Sequence, residues 1–216
     1  MKFGRHLTFA ILLSLAASSA IAADGRDVAR QKYTELAAKV RSGDTSVDLQ
    51  ALRVAAAIGE VEDTSTGFLA VKNGYGALND SKFQDALRIA REIEKQNIAD
   101  VDAHYIAWRS LVELGRENES ESERKLLAAL LDSIMRSGDG KSAKTAWFAA
   151  TIREEYMVMQ AILNVQFQAQ RTSMQDGHYY DVVAVTDKNG KQQVLWFNGD
   201  TEMHRQTAAG ERAIHK

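Results

Sequence analysis

The stretch Ser137-Gly138-Asp139-Gly140-Lys141-Ser142-Ala143-Lys144-Thr145 holds the letters G-K-S, which in a phosphate-binding loop cradle a nucleotide. Its reading decides the fold, because such a loop belongs to a βαβ sheet and an ordinary turn does not. The loop needs G-x-x-x-x-G-K-[ST], a strand before it and a helix after it. Five residues before Gly140 stands Met135, not glycine, and Leu126, Leu127, Leu130, Leu131 and Ile134 before it are spaced as in a helix. Residues Thr145 to Thr151 are rich in strand formers. The stretch therefore reads as a turn from a helical part into a β part. Gly138 is expected to cap the helix end, Asp139-Gly140 to turn the chain, and Lys141 to Lys144 to lead into the first strand.

Upstream the pattern is helical. Val28, Tyr33, Leu36, Ala37 and Val40 share a face over about Asp27 to Arg41, with Gly43 as a left-handed stop; Leu49 to Ala56 gives a second helix and Thr64 to Leu78 a third. Ser81-x-x-Gln84 and Ser120-x-x-Glu123 have the spacing of capping boxes, as has Thr151-x-x-Glu154, and Asp100 can cap the helix that carries Ile106 and Leu111. Ser81 to Gly115 resembles a tetratricopeptide-type helix pair. Downstream, Val165, Phe167 and Ala169 alternate with glutamines as in a half-buried strand. Tyr179 to Thr186 and Gln192 to Asn198 are two more strands joined at Asp187-Lys188-Asn189-Gly190. The fold class is α+β: a helical part, then a small antiparallel sheet of about four strands with one helix.

Met1-Lys2 and Arg5, the apolar Leu7 to Leu15 and Ala20-Ile21-Ala22 have the order of a secretory signal peptide cut after Ala22. The expected organisation is thus 1–22 as leader and 23–216 as one α+β domain, with helices over 23–138, the β part over 139–200 and a loosely held polar tail over 201–216. Export to the periplasm or outside is the expected location, and no membrane span is expected. Without Lys2 and Arg5 the chain keeps 25 basic residues against 29 acidic ones, which argues against a general nucleic-acid binder. There is no cysteine, so disulfides, thiol catalysis and thiolate metal sites are excluded. There is no proline either, so turns fall to Gly, Asn, Asp and Ser.

Scattered short matches resemble the exported bacterial family labelled domain of unknown function 4919. They are Tyr33-x-x-Leu36 with Gly43-Asp44-Thr45, Leu131-Asp132-Ser133-Ile134 with Ser137 to Ser142, Thr145-Ala146-Trp147, Glu155-Tyr156, Gln170, Tyr180-Asp181 and Trp196-Phe197. The chain departs from the family pattern at Val182-Val183 and in its tail. The resemblance implies architecture and export, not a chemistry.

No G-x-S-x-G or H-E-x-x-H motif occurs after the leader, so no catalytic residue is assigned and no cofactor or metal is expected. His104, four residues after Asp100, could share a helix face and a metal with it, but no third ligand is fixed. The candidate binding residues are His104, Asp102, Glu155, Tyr180 and Asp181, of which Asp102-Ala103-His104 follows the family pattern. The favoured expectation is an exported binding or protein-interaction module for an unidentified protein or small molecule. The alternatives are a hydrolase using His104 with a carboxylate, and a metal-binding protein.

Overall fold

The structure is a computed structural model that describes residues 8–61 and 64–214, with side chains described over 25–61 and 66–207. The basic start of the expected leader, the side chains of its apolar run and cleavage site, and His215 lie outside the described residues. Among the described residues, eight α-helices and four strands run in chain order: α1 (Thr8–Arg41), α2 (Leu49–Ile58), α3 (Thr64–Asn79), α4 (Phe83–Gln96), α5 (Val101–Glu113), α6 (Glu117–Met135), β1 (Trp147–Phe148), α7 (Ile152–Met157), β2 (Gln166–Gln175), β3 (His178–Thr186), β4 (Gln192–Asn198) and α8 (Asp200–Ile214). The fold is α+β, helices first. Among the described residues no helix is long and apolar enough to cross a membrane.

Small residues set the helix packing. Ala86 and Ala90 of α4 and Ala103 and Ala107 of α5 are fully buried, so the two backbones approach closely as a hairpin. Gly74 of α3 meets the Ile106 side chain of α5, where an added Cβ would stand 2.8 Å from Ile106 Cδ1. Tyr33 of α1 ties down the α4–α5 loop: its hydroxyl donates to the Gln96 carbonyl (3.0 Å) and accepts from the Ile98 amide (2.8 Å). One buried cluster then joins both parts, from Leu36, Leu52, Leu130 and Ile134 of the helices to Val183, Leu195 and Phe197 of the sheet.

Helix starts follow local chemistry only in part. Asp48, Asp100 and Thr151 cap α2, α5 and α7 by accepting from the amides of Ala51, Ala103 and Glu154. The other two expected boxes do not form. Ser81 sits at φ 57° before α4, and the cap position falls to Lys82. Helix α6 starts four residues early, at Glu117, so Ser120 lies inside its first turn. Glu123 turns inward instead to Arg91 and His104, and this buried ion pairing outweighs a surface cap.

The sheet order is β1-β4-β3-β2. It is mixed, not antiparallel: β1 pairs with β4 in parallel, Trp147 opposite Phe197, because the chain reaches β1 from α6 on the far side of the sheet from β2. The expected half-buried strand is an edge strand, β2, exposed along most of its length, with Phe167 44% accessible. It ends at a two-residue turn, Asp176-Gly177, with both residues left-handed (φ 51° and 82°), which the sequence reading passed over. In the next turn only Gly190 of the Asn-Gly pair is left-handed, and the Asp187 carboxylate holds it by accepting from the amides of Asn189 and Lys191.

The turn from Ser137 to Thr145 is closed on itself. The amides of Asp139 and Gly140 both donate to the Thr145 carbonyl (2.9 and 2.8 Å), and the Asp139 carboxylate accepts from the Thr145 hydroxyl (2.6 Å). These are the donors a phosphate would need. Gly138 is not the helix cap, which falls at Arg136; the left-handed residue is Gly140 at φ 66°. Gly138 serves close approach instead, since a Cβ there would lie 2.3 Å from the Thr145 carbonyl oxygen. The expected loose tail is helix α8, with Thr201 buried and Glu202 paired to Arg205 at 2.9 Å.

Candidate functional site

Helix α7, strand β3 and the start of α8 meet at one end of the sheet. Asp181 of β3 lies opposite Thr172 of β2 and Phe197 of β4. Its carboxylate accepts from the Thr172 hydroxyl at 3.3 Å. Glu155, on α7, is 1% accessible and hydrogen-bonds to Asp181 through its carboxyl. Burial, then the charge of Asp181, push the Glu155 pKa up to about 9. Glu155 is thus a neutral acid at pH 7 and donates its proton to the carboxylate of Asp181. Its Oε2 is buried, and no N–H or hydroxyl among the described residues donates to it.

Asp181 lines an open groove of about 350 Å³ with Thr172, Tyr179, Glu202 and Gln206 among others, and Glu155 stands buried behind it. Tyr180 also lines it, and its ring packs edge-on against Trp196 at 6.0 Å, with the Arg171 guanidinium 6.0 Å over the Trp196 ring. Ile152 and Glu202 are shared with a second, tighter cavity of about 120 Å³. That cavity is lined by ion pairs: buried Arg53 with Glu154, and Arg153 with Asp100 (2.6 Å) and Asp102 (3.2 Å). Asp102 also accepts from the Tyr75 hydroxyl at 2.8 Å; burial and the neighbouring Asp100 push its pKa up to about 6.

His104 is elsewhere. It is 1% accessible and lines none of these cavities. Its Nε2 donates to the Ile98 carbonyl (2.8 Å) and its Nδ1 to the Glu123 carboxylate (2.7 Å). Burial pushes its pKa down, but the bond to Glu123 and the charges of Glu94 and Glu123 raise it overall, and with an oxygen acceptor at each ring nitrogen the geometry suits donation from both. Glu94, His104 and Glu123 are the one group of metal-ligating side chains among the described residues whose ligand atoms lie within 4.8 Å of one another. Arg91 pairs with both glutamates, and a ring that donates from both nitrogens has no lone pair for a metal. Asp100 and His104 do not share a ligand position, since the Asp100 carboxylate is taken by the Ala103 amide and Arg153.

Of the five candidates, then, Glu155, Tyr180 and Asp181 come together, Asp102 lies in the adjoining cavity and His104 stands apart. The sequence reading missed Arg53, Arg153 and Glu202. Arg53 had a legible signal, a charge inside the apolar run Leu52 to Ala57. Glu202 had none, because its segment reads as a tail.

No curated protein and no solved structure matches the chain. A family profile matches residues 65–207, beginning after the Tyr33 to Thr45 motifs. The chain belongs to the family described as domain of unknown function 4919.

Proposed function

We propose that the protein is an exported binding module whose ligand sits in the groove beside Asp181 and carries an amine or similar hydrogen-bond-donating group. The supporting observation is the Glu155–Asp181 pair: the carboxyl of Asp181 lines a groove and is backed by a buried acid, Glu155, whose pKa burial and Asp181 push up to about 9. Glu202 adds a second acidic group at the groove, while Arg205 holds it in place. The leader-like start of the chain supports export.

A hydrolase reading is favoured by the same pair, which offers one acid and one base. It is the weaker of the two, because both Glu155 and His104 are only 1% accessible and neither side chain meets a substrate directly. The test is ligand-observed NMR with spermidine, glucosamine and lysine as probes. Binding of at least one, weakened in Asp181→Asn, is expected; no binding by any of the three would refute the proposal.

A further inference from the structure

A third concavity, of about 390 Å³, lies away from the acidic groove between α3, α4, α5 and the end of α7. Its floor is Tyr75, Phe83, Tyr105 and Met157; its rim is Asn79, Arg109, Glu113 and Gln160. The size falls within the range of about 300–1,000 Å³ usual for small-ligand sites. We propose that this groove binds a neutral carbohydrate.

The chemistry of the lining carries the assignment. A sugar ring presents an apolar face of C–H groups and an edge of hydroxyls. It therefore wants flat aromatic faces below and planar polar groups around. The aromatics here are held in place: Tyr75 and Tyr105 rings are 6.0 Å apart, Tyr105 meets Trp108 edge-on at 5.8 Å, and the Tyr75 hydroxyl is fixed on Asp102. The Tyr105 hydroxyl and the Asn79 and Gln160 side chains make no hydrogen bond among the described residues, so they are free to meet hydroxyls. Arg109 and Glu113 pair with each other at 3.5 Å, which leaves the rim without net charge and favours a neutral ligand. A π-helical turn, Val158–Ile162, follows α7 and brings Gln160 and Ala161 together to the groove; such turns recur at functional sites.

An extended peptide fits less well. The walls are helices, whose backbone groups are already paired within each helix, so a peptide backbone would find no ladder to join. A sugar needs none.

The test is calorimetric titration of the purified protein with cellotetraose, maltotetraose and chitotetraose. At least one is expected to bind. Tyr105→Leu, which keeps bulk but removes the ring, should weaken it by about tenfold. The exposed rim changes Asn79→Ala and Gln160→Ala, which leave the core intact, should each weaken it by about threefold or more. Asp181→Asn, in the separate acidic groove, should leave it unchanged, so failure here and failure of the amine site are distinguishable. Absence of binding by all three sugars would overturn the proposal, as would affinity insensitive to Tyr105 and Gln160. So would binding of a neutral alanine hexapeptide in their place.

Discussion

The carboxyl of Glu155 hydrogen-bonds to that of Asp181, and the proton resides on Glu155, the more deeply buried of the two. The folded-state pKa of Glu155, about 9, stands above its ordinary value of 4.5. The sign follows by linkage: folding binds a proton that the unfolded chain loses, so this contribution to stability is full below about pH 4.5 and is lost as pH rises towards 9. Glu155→Gln mimics the neutral acid. It should match the wild type near pH 5 and be more stable at pH 8, by on the order of a few kcal/mol. Urea midpoints at the two pH values check this, and parallel curves would refute it.

Arg53 and Glu154 are a second buried relationship, with Ser133 and the Ala150 amide completing their hydrogen bonds. Arg53→Met leaves Glu154 buried without its cation and should cost about 3–5 kcal/mol, whereas the double change Arg53→Met with Glu154→Met should recover much of the loss. Denaturant unfolding of the three variants measures the difference. A double variant no better than the single would contradict the pairing.

Gly140 and Gly190 separate backbone from contact effects. Both are left-handed, at φ 66° and 80°, but a Cβ on Gly140 would meet the Trp147 ring at 2.4 Å, while Gly190 faces open space. Gly190→Ala should cost about 1–2 kcal/mol for its backbone, and Gly140→Ala about 1–3 kcal/mol more for the overpacking. Thermal unfolding of both variants checks the order. Equal losses would mean that the Trp147 contact is unimportant.

The buried network of Arg91, Glu94, His104 and Glu123 makes its own pH signature. The raised His104 pKa gives stability that is present below the ordinary value near 6.5 and lost as pH rises through the folded value. Glu123, whose pKa is lowered although burial opposes it, acts the other way and loses its share as pH falls. In a Glu155→Gln background, which removes the competing slope, His104→Gln should be most destabilising near pH 6 and less so near pH 9. A pH-independent difference would show that the ring is not charged in the fold.

Much of this architecture was legible from local pattern, where local chemistry decides. Asp100 and Thr151 cap helices as their sequences imply, and the Met135 mismatch correctly removes the phosphate loop. Where tertiary partners compete, the local reading fails. Ser120-x-x-Glu123 has the letters of a cap, but Glu123 is drawn inward by His104 and Arg91 from two other helices. The parallel pairing of β1 rests on only two residues and on where α6 delivers the chain, which no periodicity records. At the site, Glu155, Tyr180 and Asp181 were named from short motifs, yet their meeting depends on α7 packing under β3. Glu202 joins them from a segment whose polar composition hides a helix.

The measurement that tests the amine site most directly is calorimetry at pH 8 with whichever of spermidine, glucosamine or lysine binds, run in two buffers of different ionisation enthalpy. A cation placed beside Asp181 lowers the Glu155 pKa, so binding should release a proton from the wild type and none from Glu155→Gln, and should weaken markedly in Asp181→Asn. Binding with no proton release from the wild type, or with equal affinity in Asp181→Asn, would contradict the account.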